Sequence, residues 1–217
     1  MRFLPELFAN NRAWAARHVQ DDPAFFQRLC DLQSPEYLWI GCADSRVPAN
    51  EIVGLAPGQL FVHRNVGNVV PPGDANALSV LQYAIDVLKV RHVIVCGHYG
   101  CGAVRAALDD AAGEPPLAAW IEHIRHVRRE HRAELEALPD LEARWRRLCE
   151  RNVAAQVGKV AGTGIVARAW ERAQSVVVHG WIYDLHDGLL RDLDLAVAGP
   201  AGRGAARDGR TGGRRES

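Results

Sequence analysis

Four short apolar runs constrain this chain more than any other feature. Tyr37-Leu38-Trp39-Ile40 stops at Gly41, and Leu60-Phe61-Val62 stops near Arg64. His92-Val93-Ile94-Val95-Cys96 stops at Gly97, and Ser175-Val176-Val177-Val178 stops at His179-Gly180. A strand with one wet face alternates apolar and polar residues. These runs do not, so they read as strands covered on both faces, as in a parallel sheet. Leu193 and Leu195-Ala196-Val197 read as one further strand at an edge.

Helical patterns lie between the runs. Ala77, Leu78, Leu81, Ala84, Ile85 and Leu88 keep a 3.6-residue period behind a capping Asp74. Trp120, Ile121, Ile124 and Val127 do the same, as do Leu138, Leu141, Trp145, Leu148, Cys149, Val153 and Val157. Alternating strands and helices predict an α/β fold: a central, mostly parallel sheet of four to five strands covered by helices. Ahead of it, Leu4, Leu7 and Phe8 share a helical face. Asp22 followed by Pro23 predicts a second helix starting at Pro23 and carrying Phe25, Phe26 and Leu29. Residues 1–34 therefore read as an N-terminal helical arm that needs its own core or a partner subunit to pack on. Residues 35–197 read as the α/β domain.

Charge decides the tail and the partner class. The 217 residues carry 26 Lys and Arg against 26 Asp and Glu, for a net charge of zero. Residues 198–217 hold five Arg, two acidic residues, six Gly and a Pro, which predicts a disordered tail of net +3. The rest of the chain is then −3, which argues against a nucleic-acid partner. No apolar run approaches the ~20 residues of a membrane span. The N-terminus meets Pro5 and Glu6 too early for a secretory signal. Five cysteines are too few and too odd for a disulfide scaffold, so a cytoplasmic location is expected and thiol chemistry is read as metal or catalysis. Cys30 and Cys149 fall on predicted helices and read as core; Cys96 precedes Gly97 and points into the sheet.

Ligands of open parallel sheets bind beyond the carboxyl ends of the strands. Two of those ends carry unusual residues: Gly41-Cys42-Ala43-Asp44-Ser45-Arg46 and Gly97-His98-Tyr99-Gly100-Cys101-Gly102. His98 and Cys101 have metal-ligand spacing in a loop that glycine lets fold tightly. Cys42 adds a second soft ligand, and two thiolates with an imidazole favour zinc. Asp44 could fill a fourth position or stand beside it. Arg46, two residues on, can grip Asp44 in a bidentate pair and keep it ionised. The bland alternatives are a surface ion pair and two buried cysteines.

Cys-Ala-Asp-Ser-Arg followed by Gly-His-Tyr-Gly-Cys-Gly resembles the β-class carbonic anhydrases, with the closest likeness to bicarbonate-inhibited, pH-gated bacterial members. Phe61-Val62-His63-Arg64-Asn65, Leu81-Gln82-Tyr83-Ala84 and His179-Gly180-Trp181-Ile182-Tyr183 extend the resemblance to about Val197. It implies reversible hydration of carbon dioxide to bicarbonate by zinc-bound hydroxide, with one zinc per chain held by Cys42, His98 and Cys101. It makes Asp44 and Arg46 the catalytic dyad, with Asp44 moving onto zinc in the resting form. Gln33, Phe61, Val66, Tyr83 and Gly102 match a substrate pocket at a dimer interface. Trp39, Arg64 and Tyr183 match an effector bicarbonate site. A homodimer, and a dimer of dimers, is implied. Where gated members carry Glu beside this site, the sequence has Asn50 followed by Glu51. Rival readings are hydrolysis of a carbon dioxide analogue such as carbonyl sulfide or carbon disulfide, and a non-catalytic zinc or bicarbonate-binding module. His18 and His63 qualify as proton carriers by residue type alone.

Overall fold

The computed structural model describes residues 3–31, 33–111 and 113–199, which divide into two compact units at Ser34/Pro35. The first holds helices α1 (Pro5–Asp21) and α2 (Phe25–Asp31). Helix α2 starts at Phe25 rather than Pro23. Asp22 accepts from the Ala24 N–H through its side chain and from the Phe25 N–H through its carbonyl, so Asp22-Pro23-Ala24 is a turn before the helix. The rings of Trp14, His18, Phe25 and Phe26 pack together, with His18 stacked on Phe25 at 4.3 Å. Cys30 is exposed on α2, not core.

The second unit contains strands β1 (Tyr37–Cys42), β2 (Leu60–Asn65), β3 (His92–His98) and β4 (Val177–Asp184), in the spatial order β2-β1-β3-β4 and all parallel. The single edge strand expected at 193–197 is replaced by two shorter, antiparallel ones on β4. They are β5 (Leu189–Asp192) and β6 (Val197–Ala198), so the sheet has six strands, not four to five. Between them the chain folds over Gly180, where an added Cβ would lie 2.9 Å from the Leu195 Cβ, and Leu193 donates to the Gly180 carbonyl. Ala198 belongs to β6, so ordered chain continues past residue 197; the rest of the expected tail, residues 200–217, lies outside the described residues.

The helices are α3 (Ala49–Ile52), α4 (Ala75–Gln82), α5 (Gly102–Leu108), α6 (Leu117–Glu130), α7 (Arg132–Glu136), α8 (Leu141–Ala161) and α9 (Gly164–Glu171). Asp74 caps α4 as its position predicts, accepting from the Asn76 and Ala77 N–H groups. At Tyr83 the helix passes into a π turn, Tyr83–Val87, instead of continuing as one α-helix to Leu88. Leu38, Ile40, Val93, Val95 and Val178 form one sheet face, packed with residues of α4, α8 and α9. Trp39, Leu60, Ile94 and Cys96 form the other, with Trp181 and Tyr183 against it. Each fully buried aliphatic side chain contributes roughly 1.5–3 kcal/mol, which is why the two-sided runs dictate the fold. The chain steps from β1 to β2 on one side and later adds β3 on the other. That reversal opens a crevice at the carboxyl ends of β1 and β3.

Candidate metal centre

Cys42 ends β1, His98 ends β3, and Cys101 precedes α5. The parallel register pairs Gly41 with Cys96, so the two strand ends reach the crevice together. All three side chains are buried, and their ligand atoms lie within 4.8 Å of one another. The two sulfur atoms are 3.9 Å apart. Tetrahedral zinc with Zn–S bonds of ~2.3 Å puts two sulfurs about 3.8 Å apart, so the thiols stand at ligand spacing. His98 Nδ1 sits 2.9 Å from the Tyr99 carbonyl, which fixes that nitrogen as the donor. Nε2 is then the acceptor, and it is buried with no hydrogen-bond partner. A buried orphan acceptor beside two thiols is the arrangement a soft metal ion satisfies. The residues fit zinc.

The contact between the two sulfurs, in which either can donate, lowers the Cys42 pKa and raises that of Cys101, and the Gly67 N–H adds to the lowering at Cys42. Burial pushes Cys96 the other way, and burial above all pushes Cys149 up to about 12, so neither carries such chemistry.

Asp44 stands beside the donors, its Oδ2 3.7 Å from His98 Nε2, but its oxygens are engaged elsewhere. Oδ1 accepts from the Arg46 N–H at 3.0 Å and from Arg46 Nε at 2.9 Å; Oδ2 accepts from Arg46 Nη2 at 2.6 Å. The Arg46 guanidinium holds the Asp44 carboxyl well below the usual carboxylate range, so it is ionised and can only accept hydrogen bonds. Arg46 Nη2 also reaches the Gly100 carbonyl at 3.3 Å, tying the two metal loops together.

The motifs name Arg64 only for an effector site and do not mark Trp145 or Asn152, yet all three support the loops. Arg64 Nε donates to the Cys42 carbonyl at 2.9 Å and its Nη2 to the Asp44 carbonyl at 2.5 Å, bracing the first loop from β2. Trp145 Nε1 donates to the Cys101 carbonyl at 2.9 Å. Gly67 donates to Cys42 Sγ at 3.4 Å, and its carbonyl accepts from Asn152 Nδ2 at 2.9 Å. Asn152 and Gln156 sit four residues apart among buried apolar positions of α8, a signal that could have flagged them.

The other expected site residues divide. Val66 and Gly102 adjoin Gly67 and Cys101, and both are exposed. Phe61 pairs in register with Leu38, four residues before Cys42, or roughly 13 Å down the strand at ~3.3 Å per residue. It packs on Tyr83 with ring centroids 5.8 Å apart, away from the donors. Gln33 belongs to the N-terminal unit and is exposed. Trp39, Arg64 and Tyr183 lie on one face of the sheet, Trp39 with its indole over Gly41, where an added Cβ would lie 2.3 Å from Nε1. Asn50 gives Arg64 no carboxylate; its amide donates to the Leu55 and Ala56 carbonyls. His63 is buried, which lowers its pKa, and His18 is in the N-terminal unit.

Residues 37–190 match the protein-family profile described as carbonic anhydrase. A carbonic anhydrase of Emericella nidulans is 48% identical over 194 residues, 89% of this chain and 85% of that protein. The fold resembles a Coccomyxa β-carbonic anhydrase solved with acetazolamide, with TM-score 0.86 and 41% identity, covering 94% of this chain and 92% of the other. It also resembles one of two tetrameric β-carbonic anhydrases from Sordaria macrospora, with TM-score 0.85 and 38% identity, covering 89% of this chain and 98% of the other.

Proposed function

Because the chain belongs to the β-class carbonic anhydrase family, we propose that it catalyses the reversible hydration of carbon dioxide to bicarbonate, with one zinc ion held by Cys42, His98 and Cys101. The reading rests above all on three buried donors within 4.8 Å of one another, the two sulfurs 3.9 Å apart, beside an ionised Asp44. When bound, zinc supplies the Lewis acidity that ionises water near neutral pH. Asp44 does the aiming. It can accept the one remaining proton of the attacking oxygen and so turn a lone pair toward carbon. Arg46 keeps Asp44 charged and pointed. Val66 and Gly102, exposed next to Gly67 and Cys101, would line a small approach for a small apolar substrate.

Phe61 and Tyr83 would complete the pocket from a second subunit, since they stand well away from the donors of their own chain. The active form is then a homodimer, and dimers pair into a tetramer, as the Sordaria relatives are described. Five free cysteines, two of them needed as ligands, suit the reducing cytoplasm; no helix among the described residues is long and apolar enough to cross a membrane.

The proposal includes a pH gate with bicarbonate as inhibitor. In the closed form Asp44 would leave Arg46 and serve as a further ligand to the ion that Cys42, His98 and Cys101 would hold. Arg64 supplies the link: bicarbonate bound with Trp39 and Tyr183 would draw the guanidinium off the Cys42 and Asp44 carbonyls and release that loop. Stopped-flow hydration on zinc-loaded protein tests both parts. Rates should climb steeply above about pH 8 and fall with added bicarbonate. A flat profile from about pH 6.5 to 9 would remove the gate and leave the enzyme. No activity at any pH, with zinc bound, would overturn the function.

A further inference from the structure

Away from the metal loops, α5, α6, α7 and α8 enclose a cleft of about 450 Å³. Its walls carry five arginines: Arg125, Arg128, Arg129, Arg132 and Arg144. Leu108 and Leu135 supply apolar wall beneath them. Against these five arginines the lining itself carries two carboxylates, Asp110 and Glu136, while Glu122 pairs with Arg125 and Arg129 from outside it. The chain as a whole carries no net charge, which makes this concentration a local feature.

The arginines are not equally committed. Arg128 pairs with Asp110 at 2.7 Å, Arg129 with Glu122 at 2.7 Å, and Arg132 with Glu136 at 2.7 Å. Arg125 has only longer contacts of 3.5 Å, to Asp110 and Glu122. Arg144 has no carboxylate partner among the described residues; it donates to the Leu138 carbonyl at 3.4 Å. The Nε atoms of both Arg125 and Arg144 are buried and lack a hydrogen-bond partner. Arg125 Nε faces only Asp110 Oδ1, at 3.5 Å, and Arg144 Nε faces no acceptor among the described residues; buried donors this weakly engaged are an unusual cost for a fold to carry. An anion seated in the cleft would satisfy them.

Size and valence identify the anion. A bicarbonate would leave most of ~450 Å³ empty and carries one charge. To draw Arg128, Arg129 and Arg132 inward, a ligand must offer oxygens that compete with Asp110, Glu122 and Glu136. Guanidinium forks do this best with phosphate, through paired, charge-assisted hydrogen bonds. We infer that the cleft is a binding site for a small molecule bearing a diphosphate group.

The test is calorimetric titration of the full-length, zinc-loaded protein with inorganic pyrophosphate at low salt. Saturable binding at one site per chain is expected, tighter than for orthophosphate and much tighter than for bicarbonate. Arg144→Gln should weaken it at least tenfold. Arg129→Gln/Arg132→Gln, which alters only exposed rim side chains, should weaken it similarly and guards against misfolding of the first variant. Arg172→Gln, in an ion pair with Asp86 far outside the lining, should leave it unchanged. Competition by a nucleoside triphosphate would assign the ligand to nucleotides, and its failure to free polyphosphate. Lack of saturable pyrophosphate binding, bicarbonate binding as tight as pyrophosphate, or binding indifferent to both sets of substitutions would each overturn the inference.

Discussion

Gln156 offers the sharpest test of what holds the metal loop. It is fully buried on α8. Its Oε1 accepts from the Val70 N–H at 2.9 Å, and its Nε2 donates to Asn152 Oδ1 at 3.0 Å. Asn152 in turn holds the Gly67 carbonyl, and Gly67 donates to Cys42 Sγ. Gln156→Leu keeps the volume but strands two buried groups, the Val70 N–H and Asn152 Oδ1. At ~1–3 kcal/mol each this costs roughly 2–6 kcal/mol, offset by ~1.5–3 kcal/mol from burying leucine, for a net loss of about 2 kcal/mol. Asn152→Leu also strands two groups, the Gly67 carbonyl and Gln156 Nε2. The double variant strands only two, not four, so its cost should fall short of the sum by at least ~2 kcal/mol. Urea unfolding at one fixed protomer concentration measures all four corners of this cycle. Costs that add to within ~0.5 kcal/mol would show that the amides do not work as a chain. Asn152→Leu should also weaken zinc binding about 10- to 100-fold, because the Cys42 sulfur loses the support behind Gly67.

Three further outcomes follow from single contacts. Asp44→Asn should keep zinc, since the three donors remain, but lose about 10²–10⁴ in turnover because an amide also donates; near-normal turnover would remove Asp44 from the chemistry. Asp184 is held well below the usual carboxylate range by the His186 N–H, with Arg146 and the His186 ring adding to it. A depressed folded pKa stabilises above the unfolded value of ~3.9 and is lost as pH falls below it, so Asp184→Asn should flatten the drop in urea midpoint from about pH 4 downward; an unchanged slope would contradict this. Gly41→Ala places a methyl 2.3 Å from Trp39 Nε1, which must displace the indole at about 1–3 kcal/mol, visible as a lowered Tm and a shifted tryptophan emission.

The sheet was legible because burial on both faces leaves an unmistakable trace in the residue types, as Val93-Ile94-Val95 shows. The edge was not. Leu189–Asp192 is half polar and pairs antiparallel, so it has no apolar run; its signal is the Asp187-Gly188 turn, which closes the hairpin from β4. The π turn at Tyr83–Val87 leaves no trace either, because a few residues of apolar periodicity fit 3.6 and slightly more residues per turn equally well. Helix α2 shows the limit of cap reading: Asp22 has the right chemistry, but it closes a turn one step before the helix.

The same distinction between local and distant contacts divides the metal centre. Asp44 and Arg46 meet within one loop, so their pairing needs only a turn that two adjacent residues can make, and the motif carries it whole. Cys42 and His98 meet because parallel register aligns the ends of β1 and β3, which the apolar runs fix to within a residue. Arg64 is different. It reaches the Cys42 and Asp44 carbonyls only because β2 pairs Arg64 with Gly41, and nothing in Phe61-Val62-His63-Arg64 names those acceptors. Trp145 lies 44 residues from Cys101, and its periodicity marks it as helix core while its indole N–H serves the metal loop. The reacting groups are therefore readable from motifs, while the groups that hold them are set by tertiary packing. For that reason substitutions at Arg64, Trp145 and Asn152 should alter metal affinity while every residue of the motif remains in place.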